Sequence, residues 1–313
     1  MISGLRIASL LAAGTEIIDR LGLGERLVAI SHECDYPPKL MNRPRVTRAI
    51  IDTEASSEAI DRQVAQLTSA GASLYRVDAD TLASLRPNVI VTQSQCDVCA
   101  VSLSDVAAVV RKTPELANAQ IVALNPTNFD GVLDDIRAIG TATDAALQAD
   151  CLVEAMRSRI ARVRHGTADL PAIERPRVVC IEWLKPLIVA ANWMPEMIEY
   201  AGGCPVLSQG GERSRTTHWD ELHACKPDVV VIMPCGFDLE RILSEWLNVS
   251  QEPDWMTLAK SVERIYAVDG NAYFNRSGPR LVDSLEILAG LLYPDRFANF
   301  RTTYQSVWRP IAV

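Results

Sequence analysis

One segment of this chain is written twice. LASLRPNVIVTQSQC at 82–96 returns as LHACKPDVVVIMPC at 222–235, so that Arg86-Pro87-Asn88 is answered by Lys226-Pro227-Asp228. Each copy reads as a helix end, a basic residue and a proline that stop it, a polar residue, a buried Val/Ile run and a loop carrying cysteine. A chain that repeats such a unit after about 140 positions, near the usual size of one domain, folds as two related lobes rather than around one core.

Short β-branched runs bounded by turn residues give strand signals at 5–10, 26–31, 88–92 and 120–124, then at 177–182, 187–191, 228–233 and 264–268. Helical spacing fills the gaps at 15–21, 57–70, 79–85, 103–111 and 129–139, then at 195–201, 219–224, 239–247 and 279–292. This alternation predicts parallel sheets covered by helices on both faces. Between the halves, TDAALQADCLVEAMRSRIARVRHG (143–166) places apolar residues at Ala149, Leu152, Met156, Ile160 and Val163, with Thr143 to cap its start and Gly166 near its end. It reads as one amphipathic helix of about 33 Å at 1.5 Å per residue, stiff enough to keep hinge motion small. The expected fold is α/β, with two Rossmann-like lobes (1–141 and 167–313), parallel sheets and one long linking helix (142–166).

Charge and hydropathy narrow the partners. Thirty-nine acidic residues against 31 basic give a net charge of −8, without the Lys/Arg clusters that nucleic acid requires. No apolar run approaches the ~20 residues of a membrane-spanning helix. In MISGLRIASLLAAGTEI the apolar stretch 7–13 is short for a signal peptide, and LRIASL reads as a strand the fold needs. The expectation is therefore a cytoplasmic protein, with its eight cysteines reduced.

Ligands of parallel α/β sheets bind beyond the carboxyl ends of the strands. The segments that follow the expected strands are HECDYPP, QSQCDVCAVS, Trp183, NWMPEM, PCGFD and DGNAYFNRSGPR. Only 6% of the chain is aromatic, yet Trp183, Trp193, Phe237, Tyr273 and Phe274 all fall there. With His32, Tyr36, Asn192, Asn271, Asn275 and Arg276 they suit a large flat organic ligand, or else they close the lobe ends. Cys34, Cys96, Cys99 and Cys235 share these loops and leave three readings open. They can hold zinc or an iron–sulfur cluster, serve through the CxxC pair as a redox dithiol, or pack as small hydrophobes. No GxSxG or phosphate-binding GxxxxGK[ST] motif occurs, His165 and His223 read as surface residues, His218 as part of a helix start, and Glu182 as a hydrogen-bonding carboxylate, so an enzyme is not expected.

The opening RIASLLAAGTEIIDRLGLGERLVAISHECDYP resembles that of the iron-siderophore/cobalamin (Fe/B12) substrate-binding proteins of ABC importers, and RPNVIVT, AGG, KPDVVVIMP and RIYAVDG extend the likeness over nearly the whole chain. HECDYPP, QCDVCAVS, MPCGFD and DGNAYFNRSGPR are similar to a cobalamin-binding subgroup. The resemblance implies a class III substrate-binding fold that closes on cobalamin without covalent chemistry, with Trp183, Trp193, Tyr273 and Phe274 near the ligand. It implies acidic residues on each lobe, here Glu16 and Glu196 or Glu199, that dock on an ABC permease, and by family a periplasmic location instead of a cytoplasmic one. The alternative is a metalloprotein, sensor or enzyme, holding its metal through the four cysteines.

Overall fold

In a computed structural model, which describes residues 4–95 and 100–311, the chain forms two units. The first comprises Met1–Ala55, Ala59–Pro126 and Asp130–Ala155; the second comprises Ser56–Glu58, Thr127–Phe129 and Met156–Val313.

The first half runs β1 (Ile7–Ser9), α1 (Ala12–Arg20), β2 (Leu27–Ile30), β3 (Thr47–Ala49), α2 (Ser57–Ser69), β4 (Tyr75–Val77), α3 (Ala79–Leu85), β5 (Val89–Gln93), α4 (Leu103–Lys112), β6 (Gln120–Leu124) and α5 (Phe129–Ala142). Among the described residues its main sheet has the order β2-β1-β5-β6, every pair parallel. β1 and β5 are buried along their whole length, which is why they read as continuous apolar runs rather than alternating ones. Ala8, Ala29 and Ile90 face Leu82, Val101, Val106 and Leu116 in one apolar cluster.

After α6 (Ala146–Gly166), inside which the partition between the units falls, come β7 (Arg177–Trp183), β8 (Ile188–Val189), α7 (Met194–Tyr200), β9 (Cys204–Pro205), β10 (Arg215–Thr216), α8 (Trp219–Ala224), β11 (Val229–Ile232), α9 (Leu239–Val249), α10 (Pro253–Ser261), β12 (Arg264–Val268), α11 (Leu281–Leu292), α12 (Ala298–Thr303) and β13 (Trp308–Ile311). β7, β11 and β12 are parallel, with β9 added in parallel to β7. β8, β10 and β13 are antiparallel, so the second sheet is parallel at its centre and mixed at its edges, order β10-β8-β7-β11-β12-β13.

The doubled segment builds the same joint in both units. Arg86 and Lys226 stand at φ 45° and 44° just ahead of their prolines, turning the chain out of α3 and α8. Arg6, just before β1, donates Nε to Leu85 O (2.7 Å) and its amide to Asn88 Oδ1 (3.0 Å). Arg177, at the start of β7, donates Nε to Cys225 O (3.0 Å) and its amide to Asp228 Oδ2 (2.7 Å). One arginine thus ties the helix end and the loop to the first strand in each sheet.

Three local expectations change. α1 begins at Ala12, not Thr15, because Thr15 lies inside the helix with its hydroxyl bonded back to Leu11 O. Thr143 belongs to the end of α5, its hydroxyl on Ile139 O, and the left-handed Asp144 (φ 56°) separates it from α6. The run 187–191 forms β8, antiparallel to β7, so the residues after it lead back along the sheet and not beyond its carboxyl end.

Candidate ligand-binding site

In the first unit β2 ends at Ile30 and feeds the HECDYPP loop. Arg45, paired to Ile30 through an isolated parallel bridge, clamps that loop: Nη1 donates to Ser31 O (3.1 Å) and His32 O (2.6 Å), and Nη2 to Cys34 O (3.0 Å). The Thr47 hydroxyl accepts the His32 amide (2.9 Å) and lies 2.7 Å from His32 Nδ1, while Tyr75 stands against the ring at 5.5 Å. Burial, and after it the Arg45 charge, hold the imidazole below its ordinary pKa, so His32 is neutral at pH 7. Tyr36 is exposed.

In the second unit the loops after β11 and β12 are fastened together. Asn275 donates Nδ2 to Met233 O (2.8 Å) and Gly270 O (3.0 Å), and the amides of Gly270 and Asn271 donate to Phe237 O (3.1 and 2.9 Å). A Cβ on Gly270 would overlap the carbonyl oxygens of Pro234 and Met233, so only glycine allows this approach. Arg276, buried, donates to Asn271 Oδ1 (2.9 Å). Burial raises the pKa of Asp269, whose carboxylate accepts the Ala272 amide (2.8 Å). Tyr273 is half-buried, edge-on to Tyr304 (6.4 Å), with the Arg280 guanidinium over its ring (5.5 Å). Trp183 is also half-buried; its Nε1 donates to Ser57 O (3.2 Å) and its ring meets Phe237 edge-on (5.3 Å).

Not every expected aromatic is presented. Phe274, Phe237 and Trp193 are 0%, 1% and 6% exposed, so as placed they wall the loops from within. Trp193 donates Nε1 to Phe274 O (2.8 Å), and Phe274 occupies the left-handed region at φ 46°, costly for a bulky residue. Trp193 and Asn192 follow the antiparallel β8, which explains why they sit back from the strand ends. Asn192, at φ 52°, keeps a buried Oδ1 with no hydrogen-bond partner among the described residues.

Of the four cysteines of the expected metal set, two lie among the described residues. Cys34 is 1% exposed, its thiol 3.1 Å from the Thr15 hydroxyl, which is how a small packed hydrophobe behaves. Cys235 is exposed in the second unit, and Cys96 and Cys99 lie outside the described residues. Among the described residues no group of three or more His, Cys, Asp or Glu side chains could hold a metal ion. Of the expected docking carboxylates, Glu16 is 2% exposed in a helix buried over most of its length, Glu196 is half-buried and accepts the Phe129 amide (2.8 Å), and Glu199 is exposed. Arg45 and Thr47 escaped the sequence reading because NRPRVTRA carries no motif and their partners lie 11 to 16 positions upstream.

A family model described as periplasmic binding protein matches residues 7–251. Among curated proteins, an uncharacterized ABC transporter substrate-binding lipoprotein of Bacillus subtilis (strain 168), YvrC, is 23% identical over 301 residues, 93% of this chain and 81% of that protein. Among solved structures, the periplasmic vitamin B12 binding protein BtuF of Vibrio cholerae matches with a TM-score of 0.61 at 19% identity, over 96% of this chain and 98% of that one. A periplasmic heme binding protein from Pseudomonas aeruginosa matches with a TM-score of 0.65 at 17% identity, over 98% and 95%. At these identities the two structures share a fold. The expected cytoplasmic location finds no support in these matches.

Proposed function

Because this chain belongs to the periplasmic binding protein family, whose members bind substrates and are not enzymes, we propose that it captures a corrinoid, cobalamin or a close relative, at its strand-end loops and delivers it to an ABC permease. The observation that carries the reading is the pre-fastened pair of loops in the second unit. Asn275, Gly270 and Arg276 fix them before any ligand arrives, so little ordering entropy remains for binding to overcome. The segments similar to the cobalamin-binding subgroup, HECDYPP, MPCGFD and DGNAYFNRSGPR, are these strand-end loops. In the second unit Trp183 and Tyr273 supply ring faces for a flat macrocycle, and Asn271 and Arg276 supply polar contacts for an amide rim; in the first unit the exposed Tyr36 supplies a ring of its own. The full-length fold likeness to a vitamin B12 binding protein supports the same ligand. Heme is the second candidate, supported by a neighbour described as heme-binding whose match spans 98% of the chain.

Export is part of the proposal, and Glu199 on α7 is the carboxylate we assign to the permease contact. Gel filtration of the protein mixed with cobalamin, followed by its absorption spectrum, tests the ligand: cobalamin bands should travel with the protein at one equivalent. Cobalamin eluting separately while hemin co-elutes would transfer the assignment to heme. Cell fractionation tests location, and protein recovered only with the cytosol would contradict delivery to a permease.

A further inference from the structure

At the outer edge of the second sheet an open groove of about 310 Å³ is lined by Arg301, Thr302, Gln305, Trp308, Arg309 and Pro310, from α12, β13 and the turn between them. In a chain of net charge −8, this lining holds two arginines and, among the described residues, no carboxylate.

The backbone limits what can enter. The Asp269 amide donates to Val307 O (2.9 Å), so in the antiparallel ladder residues 307 and 309 bond inward to β12, while Trp308 and Pro310 turn their backbone groups to the open edge. Pro310 has no N–H to offer there, and Trp308 O already accepts Arg309 Nη1 (2.7 Å). This edge gives an extended peptide little to pair with, so recognition falls to the side chains.

The side chains are held ready. Arg309 Nη1 is shared between Trp308 O and Gln305 O (2.9 Å), which leaves Nη2 without a partner among the described residues. The Arg301 guanidinium lies over the Trp308 ring (4.8 Å), and that indole is 8% exposed and fixed edge-on against Tyr266 (5.8 Å). Apart from this ring, Arg301 has no side-chain hydrogen bond or ion pair among the described residues, and the exposed Gln305 amide has none either. Thr302 gives its hydroxyl to Ala298 O (2.9 Å). Two guanidiniums, one stacked and one pinned by carbonyls, and one amide thus border the same space with donors to offer, and little ordering remains for binding to impose.

A carboxylate has two oxygens in one plane, and a single guanidinium fork satisfies both. Two guanidiniums and an amide suit three oxygens around a tetrahedral centre. We propose that this groove binds a phosphate group, carried by a soluble phosphate ester or by a phospholipid headgroup. Its lining includes none of the residues assigned to the corrinoid, so the two sites stand or fall separately.

Trp308 reports on the groove. The protein has six tryptophans, so its indole 1H–15N spectrum is short, and Trp308→Phe assigns the signal that matters. At constant ionic strength, inorganic phosphate should shift this signal saturably with a Kd of about 1 mM, and acetate at the same concentration should leave it in place. Arg301→Gln and Arg309→Gln should each raise the Kd at least about tenfold, with the other indole signals unmoved and cobalamin binding unchanged. Co-sedimentation with phosphatidylglycerol vesicles separates the sources. Vesicle binding that both variants abolish assigns a lipid headgroup, and phosphate binding without vesicle binding assigns a soluble ester. A Trp308 signal that neither phosphate nor vesicles move, an equal response to acetate, or binding that neither variant weakens overturns the proposal.

Discussion

Asp135 on α5 carries an oxygen, Oδ2, that is buried without a hydrogen-bond partner among the described residues, and burial pushes its pKa up to about 7. The acid is thus held neutral in the folded state over a range where the unfolded chain ionises it. Its stabilising contribution is complete below pH 3.8 and is lost as pH rises through about 7. Asp135→Asn should therefore remove part of the fall in stability between these limits and gain about 1–3 kcal/mol over wild type at pH 8, while matching it at pH 4. Urea denaturation at the two pH values checks this, and equal gains at both would refute it. Residue roles were the part of this protein least legible in the sequence. Loop membership marked His32, Asn275 and Tyr273 as candidates, but it could not tell a presented ring from a walled-in one such as Trp193. That distinction depends on the direction of β8, which periodicity does not carry. Arg45 and Thr47 act through loop carbonyls and a backbone amide, contacts that leave no pattern in the sequence. Arg45→Ala should release the 31–34 loop and raise the ligand Kd by at least about tenfold with little loss of stability, since the guanidinium is largely at the surface.

At the scale of elements, arginines at strand starts and helix faces do the fastening. Arg159 on α6 meets Glu286 on α11 with two parallel bonds (2.9 and 2.7 Å), and its Nη2 also reaches Asp283 (2.5 Å), with the Tyr304 hydroxyl on Glu286 (2.9 Å). Glu286 is 5% exposed, so removing its partner strands a buried charge. Arg159→Ala should lower the stability of the second unit by about 3–5 kcal/mol, read as a lower urea midpoint, and a change below about 1 kcal/mol would mean that the pair is solvated. Elements were largely legible: the strand signals at 120–124 and 264–268 and the helices at 79–85 and 219–224 coincide with β6, β12, α3 and α8. Pieces too short or too atypical for periodicity were missed. β3 and β4 have three residues each, and β13 carries Pro310, tolerated on an edge strand. α10 starts with Pro253 at its first position, a signal that could have been used.

At the scale of the molecule, the doubled segment told most. The arginine–carbonyl–amide joint repeats at Arg6 and Arg177, and each joint sets the strand whose far end opens onto candidate loops. The family model over residues 7–251 then gives binding, not catalysis, as the role of such a chain. A ligand that binds only the folded chain stabilises it by about 2.7 kcal/mol at a hundredfold excess over Kd, so the loops and the fold report on each other. Calorimetric titration of the purified protein with cobalamin decides whether these loops take a corrinoid. One site per chain is expected, with a Kd of about 1 μM or tighter, about −8 kcal/mol or more. Absence of heat and of competition across cobalamin and its base-free analogues would contradict it.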